Sequence, residues 1–405
     1  MKILMVNKFL HPNGGSETYI FELGKYLNTN GHEVQFFGME HPDRVVGNHA
    51  ESYTADMDFH TGKWQRLLYP FKILYSTEAR KKIRRVLWDF KPDVVHLNNI
   101  NFQLTPSIIY EVRKYEKKRG KKVPLVYTAH DYQWICPNHM LRIPSTGELC
   151  NRCMEEGFGA CARNRCIHNS RIKSILGTME ADLYKVLKTY QYVDTIICPS
   201  RFMKEKLDQY PVLRGKTMTL HNFMEKPEEK ADRTEKAGDY VLYFGRYTEE
   251  KGVKTLLSVC RQLPDIPFVF AGGGELAEEI QALPNATDRG FLQKEELKQV
   301  IRQARFTVFT SEWYDNCPFS VMETQMYTTP ILAAAIGGTP ELVEEGRTGE
   351  FYESGNALAL KEGILRLWND PARCLEYRQN CRHIHFDTLP EYVEKLLQIY
   401  EGKRG

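Results

Sequence analysis

Two doubly wound α/β domains with parallel sheets are predicted by three features of the 405-residue sequence. Short apolar runs of strand length alternate with segments of helical period. The runs are continuous rather than alternating, as in strands covered on both faces. A charged stretch, Glu225–Asp239, breaks the pattern with almost no apolar residues, and a second series of the same kind follows it.

In the first series, Lys2–Val6 reads as a strand and His11–Ser16 as a turn. Tyr19, Ile20, Leu23 and Leu27 then recur at helical spacing, and Gly31 stands where a helix C-cap belongs. Val34–Phe37, Asp93–Leu97, Leu125–Thr128 and Thr195–Cys198 are the further strands. The second series has Tyr240–Phe244, Phe268–Ala271, Thr307–Phe309 and Ile331–Ala334. The chain ends in a helix opened by a capping box, Thr388 at N-cap and Glu391 at N3, with Tyr392, Val393, Leu396, Leu397 and Tyr400 on one apolar face that must dock. The expected domains are 1–221, 222–385 and a terminal helical segment 386–405.

The formal net charge of +3 excludes a polybasic nucleic-acid binder. The apolar run at the start, Ile3–Val6, is shorter than the ~7–15 residues of a signal peptide or the ~18 of a membrane span. The expected location is cytoplasmic, soluble or peripheral on the inner face of the membrane.

Doubly wound domains bind ligands outside the carboxyl ends of their strands, so the informative residues are those that follow the strands. Gly14-Gly15 lets backbone approach a ligand and exposes helix amides to an anion; its plain alternative is a flexible turn. Arg246 and Lys251 follow the first strand of the second series and suit a diphosphate, against the alternative of a solvated charged turn. His130 follows Leu125–Thr128, where a catalytic and a structural imidazole are equally expected. Asp315 and Glu323 flank a turn containing Pro318. Carboxylates accept from vicinal hydroxyls, and the amides of Phe319, Ser320 and Val321 suit phosphate or sugar oxygens; a capped helix start with a surface Asp is the alternative.

In this order, Gly14-Gly15-Ser16-Glu17, His130-Asp131, Gly245–Gly252, Gly272-Gly273-Gly274-Glu275, the Asp315/Glu323 pair and Gly337–Val343 resemble glycosyltransferase family four over nearly the whole chain. The resemblance implies the GT-B fold: two facing Rossmann-like domains, acceptor side first and donor side second, with the last helix returning to the first domain. It implies a retaining transfer of a hexose-type sugar from a nucleotide diphosphate to a saccharide or lipid-linked acceptor, as in surface polysaccharide or glycoconjugate assembly, with no catalytic metal. By the same resemblance Arg246 and Lys251 hold the diphosphate and Glu323 the ribose. The first carboxylate holds the transferred sugar, His130 lies against that sugar, and Gly15 approaches the diphosphate. The family usually carries Glu where this chain has Asp315, one methylene shorter; Glu312 is a nearby substitute. A GT-B nucleotide-sugar epimerase and a non-catalytic partner subunit are the rival readings.

Two features lie outside the resemblance. Cys150, Cys153, Cys161 and Cys166 form a four-thiol set, within a cysteine-rich insertion over 136–170, that suits a structural zinc. Cys136, His139 and His168 are alternative ligands; packed thiols, disulfides and an iron–sulfur cluster are alternative states. The basic stretches Arg80–Arg85 and Arg113–Lys122, near Trp64, Leu67, Leu68, Tyr69, Phe71, Ile73, Leu74 and Tyr75, suggest a membrane-surface face, against ordinary solvated helix faces.

Overall fold

The computed structural model describes residues 1–55, 73–225 and 238–403. Trp64, Leu67, Leu68, Tyr69, Phe71 and most of the charged stretch after Glu225 lie outside the described residues.

The chain divides into two units, Met1–Leu220 with Leu389–Gly405, and His221–Thr388. The second boundary falls at Thr388 rather than at 385 because the amide of Met224 donates to the carbonyl of Asp387, tying that segment to the second unit.

The first unit is a parallel sheet of β1 (Lys2–Val6), β2 (Glu33–Phe37), β3 (Val94–Leu97), β4 (Leu125–Thr128), β5 (Thr195–Cys198) and β6 (Thr217–Thr219), in the order β2-β1-β3-β4-β5-β6. Ile3, Leu4, Met5 and Val6 are wholly buried, which is why β1 reads as a continuous apolar run. The second unit is a parallel sheet of β7 (Val241–Arg246), β8 (Phe268–Gly273), β9 (Ala286–Asp288), β10 (Phe306–Phe309), β11 (Ile331–Ala334) and β12 (Gly349–Tyr352), in the order β12-β11-β10-β7-β8-β9. The edge strands β6, β9 and β12 are additions to the sequence reading.

In each sheet the chain winds to one side of the first strand and then to the other. The reversal opens a crevice between the carboxyl ends of β1 and β3 in one unit and of β7 and β10 in the other. The helix Leu389–Tyr400 belongs to the first unit, where its Tyr392 hydroxyl lies 2.8 Å from that of Tyr19 and its Tyr400 hydroxyl 2.7 Å from Nδ1 of His96.

Candidate active site

At the crevice of the first unit, β1 is followed by Asn7 and β3 by Asn98-Asn99. Asn7 Nδ2 donates to the buried carboxylate of Glu17 at 2.8 Å, and the Ser16 hydroxyl donates to the same oxygen at 3.0 Å. The Asn99 amide group in turn donates to the Ser16 hydroxyl at 3.0 Å. The helix Gly15–Thr29 is thereby held at its first turn by side chains from two strand ends. Gly14 is extended (φ −178°), a conformation open to any residue, and a Cβ there would meet Glu17 only at 3.6 Å. Its own fold therefore does not demand glycine, and the absent side chain leaves space for a ligand.

His130 Nε2 lies 2.8 Å from Oδ1 of Asn98, whose amide nitrogen is turned to the carbonyl of Val6 at 3.4 Å. Since Oδ1 only accepts, the ring donates from Nε2. Burial pushes the His130 pKa down to about 4 against the opposing pull of Asp131, so the imidazole is neutral at neutral pH. The Tyr19 ring meets it edge-on at 5.2 Å between centroids. Behind it, His96 bonds Thr128 at 2.7 Å and Tyr400 at 2.7 Å, and burial, then His130, pushes its pKa down to about 3. Asn7, His96, Asn98 and Asn99 were not singled out from sequence; the available signal was asparagine at two strand ends.

At the crevice of the second unit, Lys251 Nζ donates to both oxygens of Asp315, at 2.8 and 2.9 Å. Asp315 is buried, and the lysine also lies 5.2 Å from the centre of the Trp313 ring. The backbone fixes both partners. Gly252 has φ +69°, and a Cβ there would stand 1.8 Å from the carbonyl of Thr310. Gly337 has φ +59°, and its Cβ would stand 2.2 Å from the carbonyl of Asp315, which also accepts from the amide of Gly338 at 2.8 Å. The Gly337-Gly338 motif thus seats the Asp315 backbone. Arg246, at the end of β7, is 66% exposed and lies 3.7 Å from Glu250, so its guanidinium can meet a ligand from solvent. Glu312, the proposed substitute for Asp315, instead accepts from the Thr255 hydroxyl.

The helix Phe319–Met326 starts at Pro318 without a side-chain cap. The Val321 amide, expected to face a ligand, donates to the carbonyl of Pro318 at 3.1 Å; that leaves Phe319 and Ser320 for the role. Buried Gln325 clamps this helix, donating to the carbonyls of Val321 and Leu342 at 3.2 and 2.7 Å. Glu323 projects from it half-buried. Burial pushes its pKa up to about 7, with Lys294 opposing and Glu225 adding to the rise.

Cys150, Cys153, Cys161 and Cys166 gather in one small apolar core with Ile143, Phe158, Ala160 and Ala181. The thiols pair, Cys136 with Cys153 and Cys161 with Cys166. Cys150 packs beside them outside both pairs, and no three of the sulfurs lie within 4.8 Å of one another. The pairing differs from the sequence-predicted set because the loop after β4 brings Cys136 against Cys153.

The basic stretches are neutralised in part. Arg80 and Arg84 both pair with buried Glu111, Arg84 at 2.7 Å. Burial raises the Glu111 pKa, but the bonds from Arg84 and Arg80 outweigh it and hold the carboxyl below its ordinary value. Arg113 pairs with Glu116 and Asp194, Lys121 with Asp93, and Lys122 with Asp194. Among the described residues no helix is long and apolar enough to cross a membrane.

Two six-stranded parallel sheets, each with candidate residues at a topological switch point, define the GT-B class. The model for Glycosyltransferase Family 4 matches residues 13–225, and that for Glycosyl transferases group 1 matches 225–384. The chain belongs to glycosyltransferase family four. Among solved structures it is similar to HepE of Anabaena in complex with UDP (TM-score 0.67, 16% identity, covering 99% of this chain and 100% of that one). Among curated relatives it is 20% identical to N-acetyl-alpha-D-glucosaminyl L-malate synthase of Bacillus anthracis, over 96% of this chain and 93% of the relative. It is 29% identical to alpha-maltose-1-phosphate synthase of Mycolicibacterium smegmatis over 40% of this chain. The match spans about half the length of the latter relative (47%) and of a Methanocaldococcus jannaschii glycosyltransferase (50%).

Proposed function

We propose that this protein is a retaining glycosyltransferase that moves a hexose-type sugar from a nucleoside diphosphate to a saccharide or lipid-linked saccharide acceptor, on the cytoplasmic side. The carrying observation is the Lys251–Asp315 pair at the switch point of the second unit, beside the start of the helix that bears Glu323. HepE, whose structures hold UDP and UDP-glucose, supports a nucleotide-sugar donor. In this reading Arg246 and Lys251 stabilise the departing diphosphate, Asp315 receives sugar hydroxyls, and Phe319 and Ser320 offer amides. Glu323 accepts from the ribose diol, and neutral His130 is offered to the transferred sugar.

Calorimetry with a panel of nucleoside diphosphates tests the donor site. Only ionised Glu323 accepts at both oxygens. With its pKa near 7, nucleotide affinity should rise as pH increases from about 6 to 8, and Glu323→Gln should weaken binding and flatten that rise. No nucleoside diphosphate bound at any pH in this range would overturn the reading. Transfer is then read by proton NMR of the product, where an inverted anomeric centre would exclude retention.

A structural zinc in the cysteine insertion is the second part of the proposal. The segment holds five non-glycine residues at positive φ (His139, Leu141, Arg165, His168, Asn169) and only a small core, so burial alone supports it weakly. One zinc would draw the two thiol pairs into a tetrahedron and supply folding energy. Elemental analysis of protein purified without chelator should give about one equivalent of zinc. Below roughly a tenth of an equivalent the thiols are merely packed.

A further inference from the structure

We propose that the outer face of the helix Arg171–Val186 docks on an anionic lipid surface. The inner face of this helix is fully used: Ser174, Gly177, Glu180, Ala181 and Tyr184 are buried against the first unit. Gly177 comes so close that a Cβ would stand 2.4 Å from Ile167. The opposite face is also apolar, and among the described residues nothing covers it. Ile172 is 73% exposed and Val186 78%, with Ile175 and Met179 exposed between them and Leu187 exposed just beyond. At 3.6 residues per turn, positions 172, 175, 179 and 186 fall on one side. A soluble helix with one buried face normally turns charge to solvent on the other; an apolar stripe there marks a contact.

The flanking charges say which kind. Arg171 and Lys173 are exposed at one end, Lys185 and Lys188 at the other, and Asp182 is the one exposed acid between. Cations in the first turn oppose the helix dipole, so Arg171 and Lys173 do not serve the helix itself. The two basic ends stand roughly 20 Å apart. An amphipathic helix lying flat places such ends among anionic head groups while its apolar residues enter the acyl boundary. This face differs from the basic stretches at Arg80–Arg85 and Arg113–Lys122, whose principal arginines are already paired within the protein.

The full chain should float with vesicles of phosphatidylcholine and phosphatidylglycerol at low salt, less so with phosphatidylcholine alone, and release as salt rises. Ile172→Ser with Val186→Ser should weaken partitioning about tenfold or more, as should Lys185→Gln with Lys188→Gln. Both pairs are exposed, and the one contact they lose is that of the Lys185 ammonium 5.5 Å from the Phe158 ring, so the thermal midpoint should move little. Lys117→Gln with Lys118→Gln, an equal charge loss on exposed residues elsewhere, should leave binding intact. Absence of binding at low salt, no effect of the serine pair, or an equal loss in the Lys117/Lys118 control would each overturn the proposal. Light scattering that showed a dimer abolished by the serine pair, with no vesicle binding, would assign the face to a second copy of the chain. The assay contains neither donor nor acceptor, so its failure leaves the transferase reading untouched.

Discussion

Lys251→Ala should lower turnover at saturating donor by roughly 10²–10³-fold, the scale of a lost charge contact to a developing anion. It should also destabilise the protein by about 1–3 kcal/mol, because it strands buried Asp315 without the cation that grips both its oxygens. The two effects separate in a cycle. Lys251→Ala with Asp315→Asn removes the stranded charge and should recover stability without recovering turnover. Arg246→Ala should lower turnover on a similar scale with its thermal midpoint unchanged, since that side chain is mostly solvated. Near-wild-type turnover in both Arg246→Ala and the Lys251/Asp315 double variant would remove these cations from the mechanism.

Gly337→Ala should be nearly as damaging, although no side chain of the site is altered. The new Cβ would stand 2.2 Å from the carbonyl of Asp315, and the backbone must move. A displacement of about 1 Å at a reacting centre costs on the order of 10²-fold in rate. Gly346→Ala is the control. Its φ is +70° with open space around the Cβ, so it bears only the left-handed backbone cost of about 1–2 kcal/mol. If the two variants lose equal stability and neither loses turnover, Gly337 does not seat Asp315.

The legible part of the fold was its centre. β1, β3, β4, β5, β7, β10 and β11 are buried on both faces, so each had to be a run of apolar residues. β6 and β9 are three-residue edge strands, Thr217–Thr219 and Ala286–Asp288, with little apolar surface to reveal them. β12 begins at Gly349 and carries Glu350, which receives Arg366 at 2.7 Å; the charge disguised a strand. In the site, the residue types were legible from their place after strands, but their partners were not. The bond from Lys251 to Asp315 joins residues 64 apart, and Glu111 meets Arg80 and Arg84 from 31 and 27 residues away. Only folding reveals that those arginines are spent inside the protein. Pairing within the Cys136–Cys166 loop was hidden for the same reason, since spacing alone favoured Cys150 over Cys136.

The first unit is discontinuous in the chain, and this has a consequence during synthesis. Its buried hydroxyl chain, Tyr392 to Tyr19 to Thr128 to His96 to Tyr400, takes both terminal members from the last helix. A ribosome adding about 5–20 residues per second delivers those tyrosines roughly 20–80 s after β1 emerges. The second unit, by contrast, is a single stretch of chain. The nascent protein therefore holds a sheet in which His96 and Tyr19 keep Thr128 but lack their tyrosine partners, while its later half is already able to close, and the part made first is the part finished last.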